Sequence, residues 1–326
     1  MVSAADPVLA EVWRGEHLEC LHHGALAVTG PGGDTRLTLG DASSPMLPRS
    51  SLKPMQAVAM LRHGLDLDGA LLALAGASHS GEPFHLDGVR AILSGAGLTP
   101  SDLRTTPGLP LDQDAQAAWL AAGHGREPLA HNCSGKHAAM LRTCVRAGWD
   151  PGSYLEPAHP LQLACARAIA DLTGEDAGGP VVDGCGAPAF AVSLVGLARS
   201  FGRLAAAAEG PERHVADAFR AHPEYASGTR RDEVVLHREV PGLMCKVGAE
   251  GCYAVGLPDG TGIAVKVGDG HHRATVPVLI AVLTALGHGT AALSALDPEP
   301  VLGHGRRVGA VTLAEPVRGA IATSLG

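Results

Sequence analysis

The feature that most constrains the fold is a hairpin pattern near each end of the chain. Towards the C-terminus, "CYAVGLPDGTGIAVKVGDG" places two β-prone stretches around the turn residues Pro258-Asp259-Gly260. Towards the N-terminus, "EHLECLHHGALAVTG" and "DTRLTLG" flank the turn "PGGD". The middle of the chain, roughly residues 100–225, has mainly helical periodicity. We therefore expect an α/β (α+β) protein with a mixed, largely antiparallel sheet built from both chain ends and packed with helices.

Composition excludes several classes of protein. The 326 residues, 46% of them hydrophobic, are enough for one large globular domain or two ordinary ones. A net charge of −8 without a long basic run argues against a nucleic-acid partner, and no apolar run is long enough for a membrane span. Seven scattered cysteines and an N-terminus without a signal-peptide pattern are typical of reduced thiols. We expect a cytoplasmic protein.

Lysine is rare in this sequence, and its positions are informative. Of 25 basic residues only four are lysine, namely Lys53, Lys136, Lys246 and Lys266. The abundance of Arg, Gly and Ala indicates a GC-rich coding sequence, under which a surface Lys is readily replaced by Arg. A lysine that must lose its proton cannot be replaced in this way, because a guanidinium stays charged. The four lysines are either chance survivors or sites that need an amine.

The first motif with chemical content is "PRSSLKPMQ". Ser50 and Lys53 are three residues apart at a predicted helix start, so their side chains share one face of a turn. A neutral lysine can remove the proton of a serine hydroxyl and make it a nucleophile. Serine β-lactamases use Ser-x-x-Lys in this way, although a serine at this position can also be an ordinary helix cap.

Two further segments carry polar residues whose role the sequence leaves open. "GASHSGEP" contains Ser78 and Ser80, and is either a polar turn between helices or part of a site. "IAVKVGDG" places Lys266 in a strand between two valines. Such a lysine usually extends its amine to solvent, but a second amine in a site would lower the pKa of the first.

The stretch "HNCSGKHAAM" places Cys133 and Lys136 on one face at a helix start, and "VVDGCGAP" places Cys185 in a turn after Asp183. Two thiols and a further donor make a plausible zinc site with an open position. A buried cysteine is more often a small hydrophobic residue, but both of these thiols lie in Gly- and Asp-rich turns. The helix start would also lower the thiol pKa of Cys133 or favour a bound carboxylate.

Together these blocks resemble a known family. "PRSSLKPMQA", "ASHSGEPFH", "HNCSGKHAAML", "VDGCGAP" and "GAEGCYAVGLPDGTGIAVKVGDG" are similar, in this order, to the rhizobial-type or class 3 L-asparaginases, the asparaginase II family. The resemblance implies a single domain over residues 1–326, a fold like that of serine β-lactamases and glutaminases, and a homodimer. It implies hydrolysis of L-asparagine to L-aspartate and ammonia.

The resemblance also implies roles for matching residues. Ser50 would be the nucleophile and Lys53 its base, and Ser78 with Lys266 would form a second serine–lysine pair. The segment between Lys53 and Ser78 is shorter than in the family, so Ser80 is an alternative second serine. The zinc ligands would be Cys133, Lys136 and Cys185. The substrate pocket would be lined by Arg49, His137 and Asp183, and Cys252 matches a further cysteine near it.

Two other functions are compatible with these residues. One is another serine amidase or β-lactamase-like hydrolase, although no Lys-Thr-Gly or Ser-Asp-Asn partner motif is evident. The other is a protein that binds an amino acid or zinc without catalysis. Release of ammonia from asparagine would distinguish an asparaginase from both.

Overall fold

The computed structural model describes residues 6–297 and 299–326. Its strands are β1 (Val8–Arg14), β2 (His17–Thr29), β3 (Thr35–Leu39), β4 (Gly178–Val182), β5 (Pro188–Ala191), β6 (Met244–Val247), β7 (Cys252–Gly256), β8 (Gly262–Val267), β9 (Leu302–Gly303), β10 (Arg306–Arg307) and β11 (Gly309–Leu313). Its α-helices are α1 (Lys53–Arg62), α2 (Gly69–Ala75), α3 (Pro83–Ser94), α4 (Gln113–Ala121), α5 (Ser134–Ala147), α6 (Pro160–Thr173), α7 (Leu194–Ala206), α8 (Gly210–Ala221), α9 (Pro223–Ala226), α10 (Asp232–Glu239), α11 (Thr275–Ala285), α12 (Ala291–Ser294) and α13 (Glu315–Leu325).

The chain forms two compact units. The first takes the chain up to Ser51, together with Val192–Ala206 and Val235–Gly326. The second takes Leu52–Ala191 and Ala207–Val234. None of the helices in the described part of the chain has the length and apolar character that a bilayer crossing requires.

The first unit is built on a seven-stranded sheet. Its strand order is β11-β1-β2-β8-β7-β6, and β3 pairs with β2 away from that path. All of these pairings are antiparallel, and the pairing of β2 with β8 joins the two predicted hairpins. Within it, β7 and β8 are connected by the predicted turn at Pro258-Asp259-Gly260.

The two faces of this sheet pack differently. One face, with Tyr253, Val255 and Val265, forms a hydrophobic core with α11 and α13. The other face packs on α7 at very short range, because a Cβ at Gly256 or Gly262 would overlap the α7 backbone. Lys266 is paired with Cys252 across β7 and β8, so the two side chains share one face of the sheet.

The second unit is mainly helical and is organised around α1. That helix packs against α5, α6 and α8, and its residues Lys53 to Met60 are all buried. Helices α5 and α6 both end at a glycine in the left-handed conformation, Gly148 and Gly174, as expected for residues without a Cβ. The short antiparallel pair β4–β5 carries the turn that contains Cys185.

The predicted fold class is confirmed, since the structure has a mixed α/β architecture with a largely antiparallel sheet. Both predicted hairpins are present. The sequence did not predict β1, β11 or α3, and helices already occur before residue 100. The assignment of residues 1–326 to a single domain stays a prediction.

Candidate active site

Lys53 lies at the first position of α1, and its amine is buried in the second unit. A short 3-10 turn, Arg49–Leu52, precedes it, and Pro54 occupies the first helical turn, where no backbone N–H is needed. The side chain is only 2% exposed. Its Nζ donates to the carbonyl oxygen of Ala77 at 2.6 Å, to Ser78 Oγ at 2.9 Å and to Cys133 Sγ at 3.2 Å. The structure therefore joins a lysine, a serine and a cysteine from three separate segments.

Ser78 belongs to the loop that follows α2, and it is the serine of "GASHSGEP" that contacts a lysine. Ser80 is bound through its backbone instead, its N–H donating to the Ser227 carbonyl at 2.7 Å and its carbonyl accepting from the Asp112 N–H at 2.9 Å. Ser78 is therefore the serine of this loop that contacts Lys53, and the choice of the second functional serine stays a prediction. The predicted pairing of Ser78 with Lys266 stays a prediction, and the observed partner of Ser78 is Lys53.

Ser50 and Arg49 lie in the 3-10 turn before α1, and both are half-buried. Arg49 has a φ of 54°, an uncommon conformation for a residue with a side chain. The hydroxyl of the next residue, Ser51, donates to the Lys246 carbonyl at 3.1 Å and lies 3.8 Å from Cys252 Sγ. Ser51 therefore anchors this turn to the sheet of the first unit. The role of Ser50 as nucleophile stays a prediction.

Lys266 lies on β8 and is half-buried. Its Nζ donates to the carbonyl oxygens of Glu250 at 2.6 Å and Val267 at 2.7 Å. Burial lowers the pKa of this amine, partly opposed by Cys252, Glu250 and Asp269. The role of Lys266 in a second serine–lysine pair stays a prediction.

Cys133, Lys136 and Cys185 also come together in the second unit. Cys133 immediately precedes α5 and Lys136 lies in its first turn, while Cys185 is in the turn between β4 and β5. Cys133 and Cys185 are both buried and belong to one small cluster. Lys136 Nζ donates to Cys185 Sγ at 3.4 Å. The spacing of "HNCSGKHAAM" therefore places these side chains as the sequence predicts, although their role is untested.

The charges of this cluster favour a thiolate at Cys133 and an ammonium group at Lys136. A hydrogen bond with Cys185, together with Lys53 and Lys136, keeps the pKa of Cys133 well below its usual value despite burial. Burial acts to lower the pKa of Lys136, but Cys185, Cys133 and Asp183 outweigh it and raise that pKa. The two sulfur atoms are thus neighbours, with Lys136 on Cys185 and Lys53 on Cys133, and Lys53 connects this cluster to the Ser78 hydroxyl.

These donors fit a zinc ion in their chemistry. Zinc prefers thiolate sulfur, and Cys133 is poised to supply it. Lys136 fits once it loses its proton, which a cation between the two thiols would promote. Within residues 6–297 and 299–326, no group of three or more His, Cys, Asp or Glu side chains is arranged to hold a metal ion. The predicted set contains only two such residues beside the lysine.

His137 follows Lys136 on α5 and is fully buried. Burial lowers its pKa to about 4, partly opposed by the nearby Cys185, so the imidazole is neutral. Its Nδ1 lies 2.7 Å from the Tyr154 hydroxyl, and its Nε2 has no hydrogen-bond partner among the described residues. Asp183 precedes Cys185 in the β4–β5 turn, half-exposed, and accepts from the Gly184 N–H at 2.7 Å. Of the three predicted substrate residues, His137 and Asp183 border the cysteine–lysine cluster.

A comparison with known families decides the relationship of this chain. The sequence profile of L-asparaginase II matches residues 10–313, nearly the full length. The chain belongs to the L-asparaginase II family. The family assignment made from the sequence blocks is thereby confirmed.

Comparisons with individual proteins are more remote. A search of curated proteins finds no match. Among solved structures, Mglu in its glutamate form is 15% identical over 84% of this chain, with a TM-score of 0.46. A β-lactamase from Mycobacterium bovis is 17% identical, covers 76% of this chain and 88% of its own, and has a TM-score of 0.39. This member of the L-asparaginase II family spans 62% of the Mglu chain. Neither similarity supports a conclusion about the chemistry of this chain.

Sequence reasoning missed two residues that shape the cluster. Tyr154 orients His137, and its pKa is raised to about 12 by burial, so it stays a phenol. His131 Nδ1 accepts the N–H of Cys133 at 3.0 Å. The rarity of tyrosine could have drawn attention to Tyr154, because the chain has only three tyrosines. His131 could have been noticed because it lies two residues before Cys133, a predicted zinc ligand.

Proposed function

We propose that the protein is an L-asparaginase that hydrolyses L-asparagine to L-aspartate and ammonia through a serine ester. Membership of the L-asparaginase II family supports an amidohydrolase acting on asparagine-like substrates. The single observation that carries the proposal is the buried amine of Lys53, 2.9 Å from the Ser78 hydroxyl and at the end of a Ser-x-x-Lys motif. The homodimer and the cytoplasmic location stay predictions.

The hydrogen-bond partners of Lys53 suit an amine that exchanges protons. An ammonium can donate to Ala77, Ser78 and Cys133 at once, because it carries three N–H groups. A free amine has two N–H groups and one lone pair. The Ala77 carbonyl can only accept, whereas the serine hydroxyl and the thiol can also give a proton to that lone pair. Both protonation states of Lys53 can therefore be satisfied without moving the side chain.

In the proposed reaction Lys53, as the free amine, takes the proton of Ser50 while the Ser50 oxygen bonds to the carboxamide carbon of asparagine. The C–N bond then breaks, the proton passes from the lysine to the departing nitrogen, and ammonia leaves. An ester between Ser50 and the aspartyl side chain remains. A water molecule then gives a proton to a lysine and bonds to the ester carbon. The bond from that carbon to the Ser50 oxygen breaks, and the lysine passes the proton to the Ser50 oxygen, so that L-aspartate is released and the hydroxyl is restored.

A zinc ion, where bound, would be held by Cys133, Lys136 and Cys185 and would supply a positive anchor for an anionic group of the substrate. The protein's own part is to orient the substrate. His137 offers a neutral nitrogen beside this cluster, and Asp183 offers a carboxylate for the substrate's ammonium group.

A coupled assay for ammonia, run on asparagine and glutamine, tests the proposal. Lys53→Arg keeps the charge but cannot return a proton, so kcat should fall by about a hundredfold or more. Ser50→Ala should abolish turnover, whereas Ser51→Ala should leave measurable activity. Wild-type turnover in Lys53→Arg would refute the base, and an active Ser50→Ala beside an inactive Ser78→Ala would move the nucleophile to Ser78. Wild-type protein that releases no ammonia from asparagine would overturn the function itself.

A further inference from the structure

We propose that His79 is a positioning residue that keeps the Ser78 hydroxyl on Lys53 by fastening the loop after α2 to the start of α5. The inference rests on the proposed amidohydrolase function and adds to it a residue outside the reacting groups. All of the contacts involved lie within the second unit.

The Ser78 loop has little regular structure to fix it. Helix α2 ends at Ala75, and α3 begins at Pro83. Ser78 therefore depends on contacts with other segments for its position. A hydroxyl that exchanges a proton with an amine needs a defined distance and angle, and a displacement of about 1 Å can cost a hundredfold in rate.

His79 supplies two of these contacts to one element. Its backbone N–H donates to the Asn132 carbonyl at 3.0 Å, and its Nε2 lies 2.9 Å from Ser134 Oγ. Asn132 and Ser134 are the neighbours of Cys133, whose sulfur is itself a partner of Lys53. The imidazole thus connects the segment that carries Ser78 with the segment that carries the other Lys53 partner.

The surroundings keep this imidazole rigid and neutral. His79 is fully buried, and its ring stacks on His85 with centroids 5.1 Å apart. Burial, and to a smaller extent His85 and Lys53, lower the pKa of His79 well below its usual value. The side chain is therefore a fixed hydrogen-bonding group rather than a proton carrier.

Close packing of the two elements is built into the backbone. Gly135, in the first turn of α5, lies against the end of α2, where a Cβ would come within 2.5 Å of the Leu74 carbonyl oxygen. The glycine lets the start of α5 approach the segment leading to Ser78. His79 then fixes the register of that approach through Ser134.

The test uses four single variants and one double variant in the ammonia assay. His79→Leu and Ser134→Ala should each lower kcat, the former by about ten- to a hundredfold, with KM much less affected, because the loss is of geometry at the reacting groups. The double variant His79→Leu/Ser134→Ala should have a kcat no lower than that of His79→Leu, because both substitutions remove the same His79–Ser134 side-chain contact. His79→Gln can still reach the Ser134 hydroxyl and should recover part of kcat. His159→Gln is the matched control, because His159 is a buried histidine of the same unit that contacts the Asp150 carbonyl and the Leu161 N–H instead.

Each outcome bears on the inference. Full activity in folded His79→Leu, or equal losses in His79→Leu and His159→Gln, would overturn the positioning role. Should His79→Leu fail to fold, Ser134→Ala removes the same contact by loss of one oxygen, and full activity there would refute the inference. Wild-type protein without asparagine hydrolysis would contradict the proposed function, whereas active wild type with active Ser134→Ala would contradict only the role of His79.

Discussion

At the scale of single residues, the four lysines of this chain show how composition can indicate chemistry. Lys53, Lys136 and Lys246 are buried, and Lys266 is half-buried. Burial of a lysine is costly, so a sequence that replaces most lysines by arginine retains them where a small amine is required. Each of the four amines has a sulfur, hydroxyl or backbone carbonyl partner. The roles predicted for Lys53, Lys136 and Lys266 stay predictions.

Removal of one thiol should separate the metal site from ordinary buried cysteines. We expect about one zinc per chain in purified protein, and a loss of that zinc in Cys133→Ser, measured as metal content by mass spectrometry. Cys144→Ser is the matched control, because Cys144 lies on α5, the helix that Cys133 precedes, and burial raises its pKa to about 12. Zinc-free wild type, or equal zinc in Cys133→Ser and wild type, would rule out the proposed ligands.

The kinetics of the two cysteine variants should differ. The motifs alone treat the zinc residues and the serine–lysine chemistry as separate, which would confine both effects to substrate affinity. The structure places Cys133 Sγ 3.2 Å from Lys53, whereas Cys185 contacts Lys136. Cys185→Ser should therefore mainly raise KM, and Cys133→Ser should also lower kcat. Identical kcat values in the two variants would argue against coupling between Cys133 and Lys53.

At the scale of elements, the turn that carries Ser50 depends on a close approach to the sheet. Gly248 follows β6, and a Cβ there would overlap the Pro48 carbonyl and lie 2.7 Å from Ser51 Oγ. Gly248→Ala should displace the 48–51 turn and lower kcat by about tenfold or more. Gly319→Ala in α13 is the control, because open space surrounds it, and it should keep kcat while adding about 0.5–1 kcal/mol to the free energy of unfolding. An unchanged kcat in Gly248→Ala would show that the turn tolerates the shift.

Elements with a local signature were predictable, and those that depend on distant partners were not. The hairpin β7–β8 was evident from its turn, and α5 from its apolar face and terminal glycine. Strand β11 has no turn partner in sequence and is specified by its pairing with β1, far away along the chain. Similarly, the contact of Lys53 with Ser78 arises from the packing of α1 and α2, which spacing alone does not encode.

At the scale of the whole molecule, buried neutral histidines make stability dependent on pH. Burial lowers the pKa of His137 to about 4, and it also lowers the pKa of His79, His85 and His131. In the unfolded chain these groups titrate near pH 6.5. Between these values the unfolded state binds more protons, so the free energy of unfolding falls as the pH is lowered from about 6.5 towards 4.

Urea unfolding at pH 7.5 and pH 5 measures this effect. The midpoint should be clearly lower at pH 5, although carboxylates with lowered pKa values, such as Asp66 and Asp112, are still ionised there and keep their contribution. His137→Gln should reduce the difference between the two midpoints, because one of the titrating groups is gone. Equal midpoints at pH 7.5 and pH 5 would show that these histidines are accessible to protons in the folded state.

The pairing of β2 with β8 has a consequence for how the chain is made. Strands β1, β2 and β3 leave the ribosome first, but their sheet partners β8 and β11 are not synthesised until most of the chain has been translated. The helices from α1 to α6 lie within one continuous stretch, and their later partner α8 is also translated before β6, β7 and β8. Contacts between distant segments slow folding because a long loop must close first. The helical unit can therefore fold during translation, while the N-terminal strands wait, with unpaired edges, for the last third of the protein.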